Sequence, residues 1–221
     1  LLDTICLTIV RGNGDGNIDT KQKIKSTALD LFSQKGFSAV SIRDICGSVG
    51  IKESTVYYHF KDKKDIFQTL LHDVEQITDA IQIAFNQEIS KIQAVEEGPF
   101  ISVGLGFLNN YLLDEQILKF IRMLMIEQHV NGDAAKLYHR VLFEAPLQQN
   151  AAVFRNLMRM GCFASGDSIY LAEEYYAAVF YIFQRYFSSG EVTQEKRHEA
   201  NERLTAHLKC FYQKYSIIQN V

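Results

Sequence analysis

The side chains able to do chemistry are sparse and do not assemble into a catalytic pattern. The 6 histidines avoid metal-ligand spacing: His129 and His139 stand ten apart, His198 and His207 nine apart, whereas ligands on one helix face recur about every four residues. There is no nucleophile elbow, no zinc-protease His pair, no phosphate loop and no glycine-rich dinucleotide turn after a strand. The 4 cysteines, Cys6, Cys46, Cys162 and Cys210, are scattered without a CxxC pair. That usage suits a reducing cytoplasm, with Cys46 and Cys210 as small apolar fillers. The run RGNGDGN at 11–17 alternates Asn, Asp and Gly like a calcium loop. In neither register, however, do the turn glycine and the bidentate Glu fall in place. The expectation is a protein that is not an enzyme and uses neither metal nor cofactor.

The chemistry that remains is recognition. Between Ile51 and Phe60 the polar residues Lys52, Glu53, Ser54, Thr55, Tyr57, Tyr58 and His59 are interleaved with the apolar Ile51, Val56 and Phe60. On a short helix the apolar three turn inward and the others are left for the outer surface and its edges. Tyrosines on a short polar helix fit poorly with solvent alone. They make sense if hydroxyls and an imidazole face phosphates.

Such a helix has to be held by others. A first helix is expected at about Thr20–Lys35, with Ile24, Ala28, Leu31 and Phe32 on one face and Gly36 as its stop. Ser41-x-x-Asp44 is a capping box announcing a second, with Ile42, Ile45 and Val49 inward and Gly50 ending it. The surface helix follows, over Ser54–Phe60. A fourth starts at Asp62, with Asp65 three residues on and Ile66, Phe67, Leu70 and Leu71 inward. Two short helices joined by a tight turn and packed on a third present the second of the pair outward, and the major groove admits a helix so presented.

The stretch Ala39–Phe67 resembles the N-terminal domain of TetR-family transcriptional regulators. The run Tyr57-Tyr58-His59-Phe60-Lys61-Asp62-Lys63 carries the resemblance, together with Ala28-x-x-Leu31-Phe32, Gly36-Phe37, Asp44-Ile45 and Gly50-Ile51. It covers roughly residues 20 to 70. It implies that Ser41 and Arg43 touch phosphate and that Ser54 and Thr55 sit near base edges or backbone, with Lys52 at the lip of the groove. Tyr57, Tyr58 and His59 would line the phosphate ridge, and Lys63 would meet phosphate at a helix N-terminus. Two residues depart from the pattern. Gly47 lies in a helix interior, at a cost of about 1 kcal/mol. Glu53 sets an acid on the reading helix, where it repels phosphate unless it accepts from a cytosine amino group.

The rest of the chain stays helical, with loops near Glu96–Gly98, Asn131–Asp133, Cys162–Gly166 and Ser188–Glu191. The fold class is all-α, about nine or ten helices. The expected organisation is a segment 1–18 outside the fold, a helix-turn-helix domain at 19–65, and a regulatory domain at 66–221. Charge follows that division: 19–64 holds 9 Lys/Arg against 5 Asp/Glu, and 65–221 holds 13 against 19. A basic head on an acidic body fits a protein whose front end alone meets phosphates. No apolar run is long enough to span a bilayer, so no membrane partner is expected.

Ile117–Ile126 is apolar almost all round, as a central helix must be. Arg122, Glu127, His129 and Tyr176 stand beside such apolar helices, and the resemblance makes them candidates for effector contacts in a ligand cavity. Gly104 and Gly106, inside a helical pattern, let a neighbour or a ligand approach closely. The last helix carries a stripe, Ala200, Leu204, Leu208, Phe211 and Tyr215, and Ala177 and Ala178 lie on the helix before it. Packing within one chain explains that stripe as well as a partner surface does. The resemblance favours a homodimer with Ala177, Ala200, Leu204, Leu208 and Phe211 at its interface. It implies a cytoplasmic repressor that binds a pseudo-palindromic double-stranded DNA operator and is released by a small apolar or aromatic effector. The alternative is a DNA-binding protein of the same family controlled by a protein partner, or serving chromosome organisation, without a small ligand.

Overall fold

The computed structural model describes residues 19–89 and 95–217. The segment 1–18, with the run at 11–17 inside it, lies outside the described residues. Among the described residues there are nine continuous helical runs. They are α1 (Thr20–Lys35), α2 (Ile42–Val49), α3 (Glu53–His59), α4 (Lys63–Ile89), α5, α6 (Glu115–Glu127), α7, α8 (Ser168–Phe187) and α9 (Gln194–Tyr215). Run α5 is Glu97–Gly106 continued as a π-helical segment, Phe107–Leu112. Run α7 is Gly132–His139, a π-helical turn Arg140–Glu144, and Ala145–Arg159. Among the described residues there is no strand, only an isolated bridge between Phe163 and Ser216, and no helix is long and apolar enough to cross a membrane.

The described residues divide into two compact units: 19–79 with Glu115–Val141, and Ala80–Asp114 with 142–217. The expected helix-turn-helix part, 19–65, lies inside the first. That unit is larger than expected because the start of α4 and all of α6 pack with it. Lys25 meets Asp73 at 2.6 Å, tying α1 to α4, and Lys119 meets Asp30 at 2.6 Å, tying α6 to α1.

Local signals in the head behave as their chemistry requires. The Ser41 hydroxyl accepts from the Asp44 N–H at 3.2 Å while Asp44 Oδ2 accepts from the Ser41 N–H at 2.7 Å, closing the capping box. Asp62 and Asp65 do the equivalent at the start of α4: Asp62 Oδ1 accepts from the Asp65 N–H, and Asp65 Oδ2 from the Lys61 N–H. Gly50 ends α2 in the left-handed region, φ 78°, a conformation that a residue with a Cβ resists. Ile24, Ala28, Phe32, Ile45, Val56, Phe60, Ile66 and Phe67 form the core. The rings of Phe32, Phe37 and Phe67 lie 5.0–6.0 Å apart inside it. Leu29, not Leu31, completes the buried face of α1.

The second unit has an aromatic core. Phe100, Phe154, Phe163, Tyr175 and Phe211 form one cluster of mostly tilted and edge-on rings, with neighbouring centroids 5.4–6.4 Å apart. Gly104 is where α5 meets α8 and α9: a Cβ there would stand 2.6 Å from Leu208 Cδ1 and 2.9 Å from the Tyr175 hydroxyl oxygen. The neighbour that glycine admits is therefore the protein itself. In the π segment that follows, the Leu113 N–H reaches back five residues to the Leu108 carbonyl at 3.0 Å. Asn109 Nδ2 donates to the Leu105 carbonyl and to Asn201 Oδ1. A widened turn frees i−4 carbonyls, and a side-chain amide takes one of them.

This core corrects the expected dimer surface. Ala200, Leu204 and Leu208 are 0% exposed and Phe211 is 2% exposed within a single subunit. Their stripe is consumed by α5 and α8, so it cannot also be buried between subunits. Of the residues assigned to the interface, only Ala177 is exposed. Cys210 is likewise exposed, and among the described residues the buried thiols are Cys46 and Cys162.

Candidate nucleic-acid interface

Helix α3 is one-sided. Val56 is fully buried and Phe60, its C-cap, is 3% exposed. Lys52, Ser54, Tyr57 and Tyr58 face solvent, Tyr58 at 84% exposure, and Thr55 and His59 are half-buried at the edges. The Tyr58 and His59 rings meet edge-on at 5.0 Å. Two aromatic side chains held outward on a seven-residue helix offer hydroxyls and a ring nitrogen to an external partner. Arg43, on the first turn of α2, joins this surface: its Nε donates to Glu53 Oε1 at 3.0 Å.

Two residues expected at phosphate have other tasks. The Lys63 ammonium donates to the carbonyls of Phe37 and Val40, each at 2.6 Å, and lies 4.2 Å from the centre of the Phe37 ring. It holds the α1–α2 loop closed instead of reaching outward. The Ser41 hydroxyl and N–H both donate to Asp44 Oδ2, which keeps the Asp44 carboxyl below its ordinary range. Ser41 is a cap first. The cap is legible in the local sequence, but the Lys63 contacts are not, because its acceptors lie 23 and 26 residues upstream.

The effector candidates do not converge. Glu127 is buried and accepts from the Phe37 N–H at 2.7 Å, a structural clamp. His129 is exposed on the loop that follows. Arg122 is half-buried, and burial lowers its guanidinium from the ordinary value. Tyr176, in the other unit, packs against Phe107 and Phe180 at 6.3 Å. A groove of about 360 Å³ opens elsewhere in the first unit, between α4 and the start of α7. Leu71 and Leu137 line it together with His72, Glu75, Lys136 and Arg140. Arg140 pairs there with Glu75 at 3.7 Å and with Asp79. The sequence signal for this groove was two charge pairs at i,i+4, Glu75/Asp79 and Lys136/Arg140.

A buried-backed, outward-facing second helix joined to its partner by a glycine turn defines a helix-turn-helix protein. Residues 24–70 match the family described as bacterial regulatory proteins, tetR family. The regulator AcrR of Shigella flexneri is 28% identical over 151 residues, 68% of this chain and 61% of that protein. The Staphylococcus aureus (strain Newman) negative transcriptional regulator of the biofilm operon icaADBC, IcaR, is 46% identical over 48 residues, 22% of this chain and 26% of that one. This chain thus matches less than two thirds of the length of either. A TetR-family regulator from Mesorhizobium loti MAFF303099 shares the fold, with a TM-score of 0.65 at 22% identity over 89% of this chain and 96% of that one. Residues 24–70 thus carry the match to the tetR family, and the described fold is the one that the Mesorhizobium loti structure shares.

Proposed function

We propose that this protein is a repressor that binds a pseudo-palindromic operator as a homodimer and is released by a small molecule. The observation that carries the proposal is α3 itself, anchored by Val56 and presenting Lys52, Ser54, Thr55, Tyr57, Tyr58 and His59 on one side. Ser54 and Thr55 meet base edges, and Lys52, Tyr57, Tyr58 and His59 lie within reach of the phosphates beside them, with Arg43 at the edge of the same surface. Repression follows the name of IcaR, a negative regulator.

The dimer forms through the outer face of α8, where Tyr170, Ala177 and Tyr181 follow one another at helical spacing, both tyrosines being more than half exposed. Two-fold symmetry supplies the two reading helices that two half-sites require.

The groove between α4 and α7 supports the effector half. Its leucines suit a small apolar or aromatic body, and its charged rim suits a polar end. A molecule seated there competes with Glu75 and Asp79 for Arg140 and moves α7 against α4, whose first residue, Lys63, holds the α1–α2 loop. Only a ligand that favours one of two arrangements can shift DNA affinity, and the coupling is reciprocal. Selection of duplexes from a randomised library by the purified protein, with its mass in solution, tests the reading. A two-fold related consensus bound by a dimer supports it; binding without sequence preference overturns it.

A further inference from the structure

The acid on α3 has a function once its partner is considered. Glu53 is the first residue of α3, the end of a reading helix that reaches base edges. A bare carboxylate there would be driven off by the phosphates. The structure gives it Arg43, ten residues earlier on α2, at 3.0 Å. The Arg43 side chain is 86% exposed and that of Glu53 44%. An ion pair so exposed contributes little to stability, so holding the head together is a weak reason for it. Its geometry is informative instead. The hydrogen bond from Arg43 to Glu53 runs from Nε to Oε1, which leaves the end-on edge of the guanidinium, formed by its two terminal nitrogens, and the second Glu53 oxygen for another partner.

That leaves, side by side on one face, a forked donor and an acceptor. In the major groove, guanine presents two acceptors, O6 and N7, and its cytosine partner presents an amino donor beside them. We infer that Arg43 and Glu53 form a preassembled unit that reads one C·G base pair in each half-site, Arg43 donating to guanine and Glu53 accepting from the cytosine amino group. An A·T pair is rejected on both sides, because adenine replaces one guanine acceptor with a donor and thymine sets a carbonyl oxygen against the Glu53 carboxylate. The order of the two side chains also fixes which strand carries the guanine. This inference rests on the DNA-reading role proposed above and specifies one position of it.

The test is selection from a randomised duplex library by the full-length protein and by the Glu53→Gln, Arg43→Lys and Lys52→Ala variants, with thermal melts to confirm that each is folded. The wild type should enrich C·G at one symmetric pair of positions. Glu53→Gln and Arg43→Lys should each weaken that preference about ten- to hundredfold and leave the other positions unchanged. Lys52→Ala should lower affinity evenly across sequences. If the wild type yields a consensus that both pair variants reproduce at every position, the pair does not read a base and this inference fails alone. If the wild type yields no consensus, the DNA-reading role fails with it.

Discussion

Glu127 and Phe37 lie 90 residues apart in sequence, yet the Glu127 carboxylate accepts the Phe37 N–H at 2.7 Å. The contact joins the end of α6 to the turn that leaves α1. Gly36 makes it possible: its φ is 78°, and a Cβ there would stand 2.9 Å from Ile126 Cγ2 and 3.1 Å from Glu127 Oε1. The loop is held from the other side by Lys63, which takes the Phe37 carbonyl. One residue therefore has its N–H fixed by α6 and its carbonyl by α4.

Removing the acceptor should destabilise the fold. Glu127→Ala strands a partly buried N–H and is expected to cost about 1–3 kcal/mol. Glu127→Gln keeps a carbonyl oxygen and should recover a substantial part of that. Denaturant unfolding of the three proteins checks the order. Equal stability of the wild type and the alanine variant would remove the clamp.

Lys63 and Lys52 should separate in a salt titration of operator binding. Lys52 is exposed beside α3, and its loss from both subunits of the dimer should reduce the slope of log affinity against log salt by about 1.8, at about 0.9 for each phosphate contact. Lys63→Ala should lower stability and affinity while leaving the slope unchanged, because its ammonium faces two carbonyls. A slope that falls equally in both variants would return Lys63 to the phosphates.

Gly47 offers a gain. It lies in the interior of α2, and a Cβ built there meets nothing within 4 Å. Gly47→Ala should stabilise the protein by about 0.5–1 kcal/mol through the backbone entropy that glycine loses on folding. The expected rise in Tm is a few degrees, on the order of 2–4 °C, for a chain of this size.

The two tyrosine-bearing faces of the second unit should answer differently to charge. Tyr181→Glu, on the exposed side of α8, should give folded monomers by light scattering and circular dichroism. Leu204→Glu, on a residue with no exposed surface, should instead fail to fold. A folded dimer carrying Tyr181→Glu would rule out the α8 face.

What could be read from the sequence follows the range of the interaction. The Ser41–Asp44 box, the inward Val56 and the start of α4 at Asp62 depend on residues within one turn, and periodicity and side-chain chemistry locate them. The stripe on α9 was equally visible, but a stripe reports burial and not which chain does the burying. The aromatic core of Phe100, Phe154 and Phe163 that covers it comes from segments far apart in sequence. Lys63, Glu127 and the α4–α7 groove escaped for the same reason: their partners are 23 to 90 residues away. A lysine beside a helix start looks alike whether it faces phosphate or carbonyl.

The π-helical end of α5 bears on how this chain can change in length. In a regular α-helix the loss of one residue turns everything beyond it by about 100° and misaligns every contact on that side. A π turn already carries one residue more than the α-helical path requires. Losing one residue within Phe107–Leu112 would return the run to α-helical pitch, with Gly104 still against Leu208 and the buried Leu112 still in phase beyond it. The same loss one turn earlier would swing a side chain into the place of Gly104. A one-residue deletion is therefore accommodated in this short stretch of α5 and not in the turn before it, and the glycine ahead of it acts as the fixed reference from which helix length is counted.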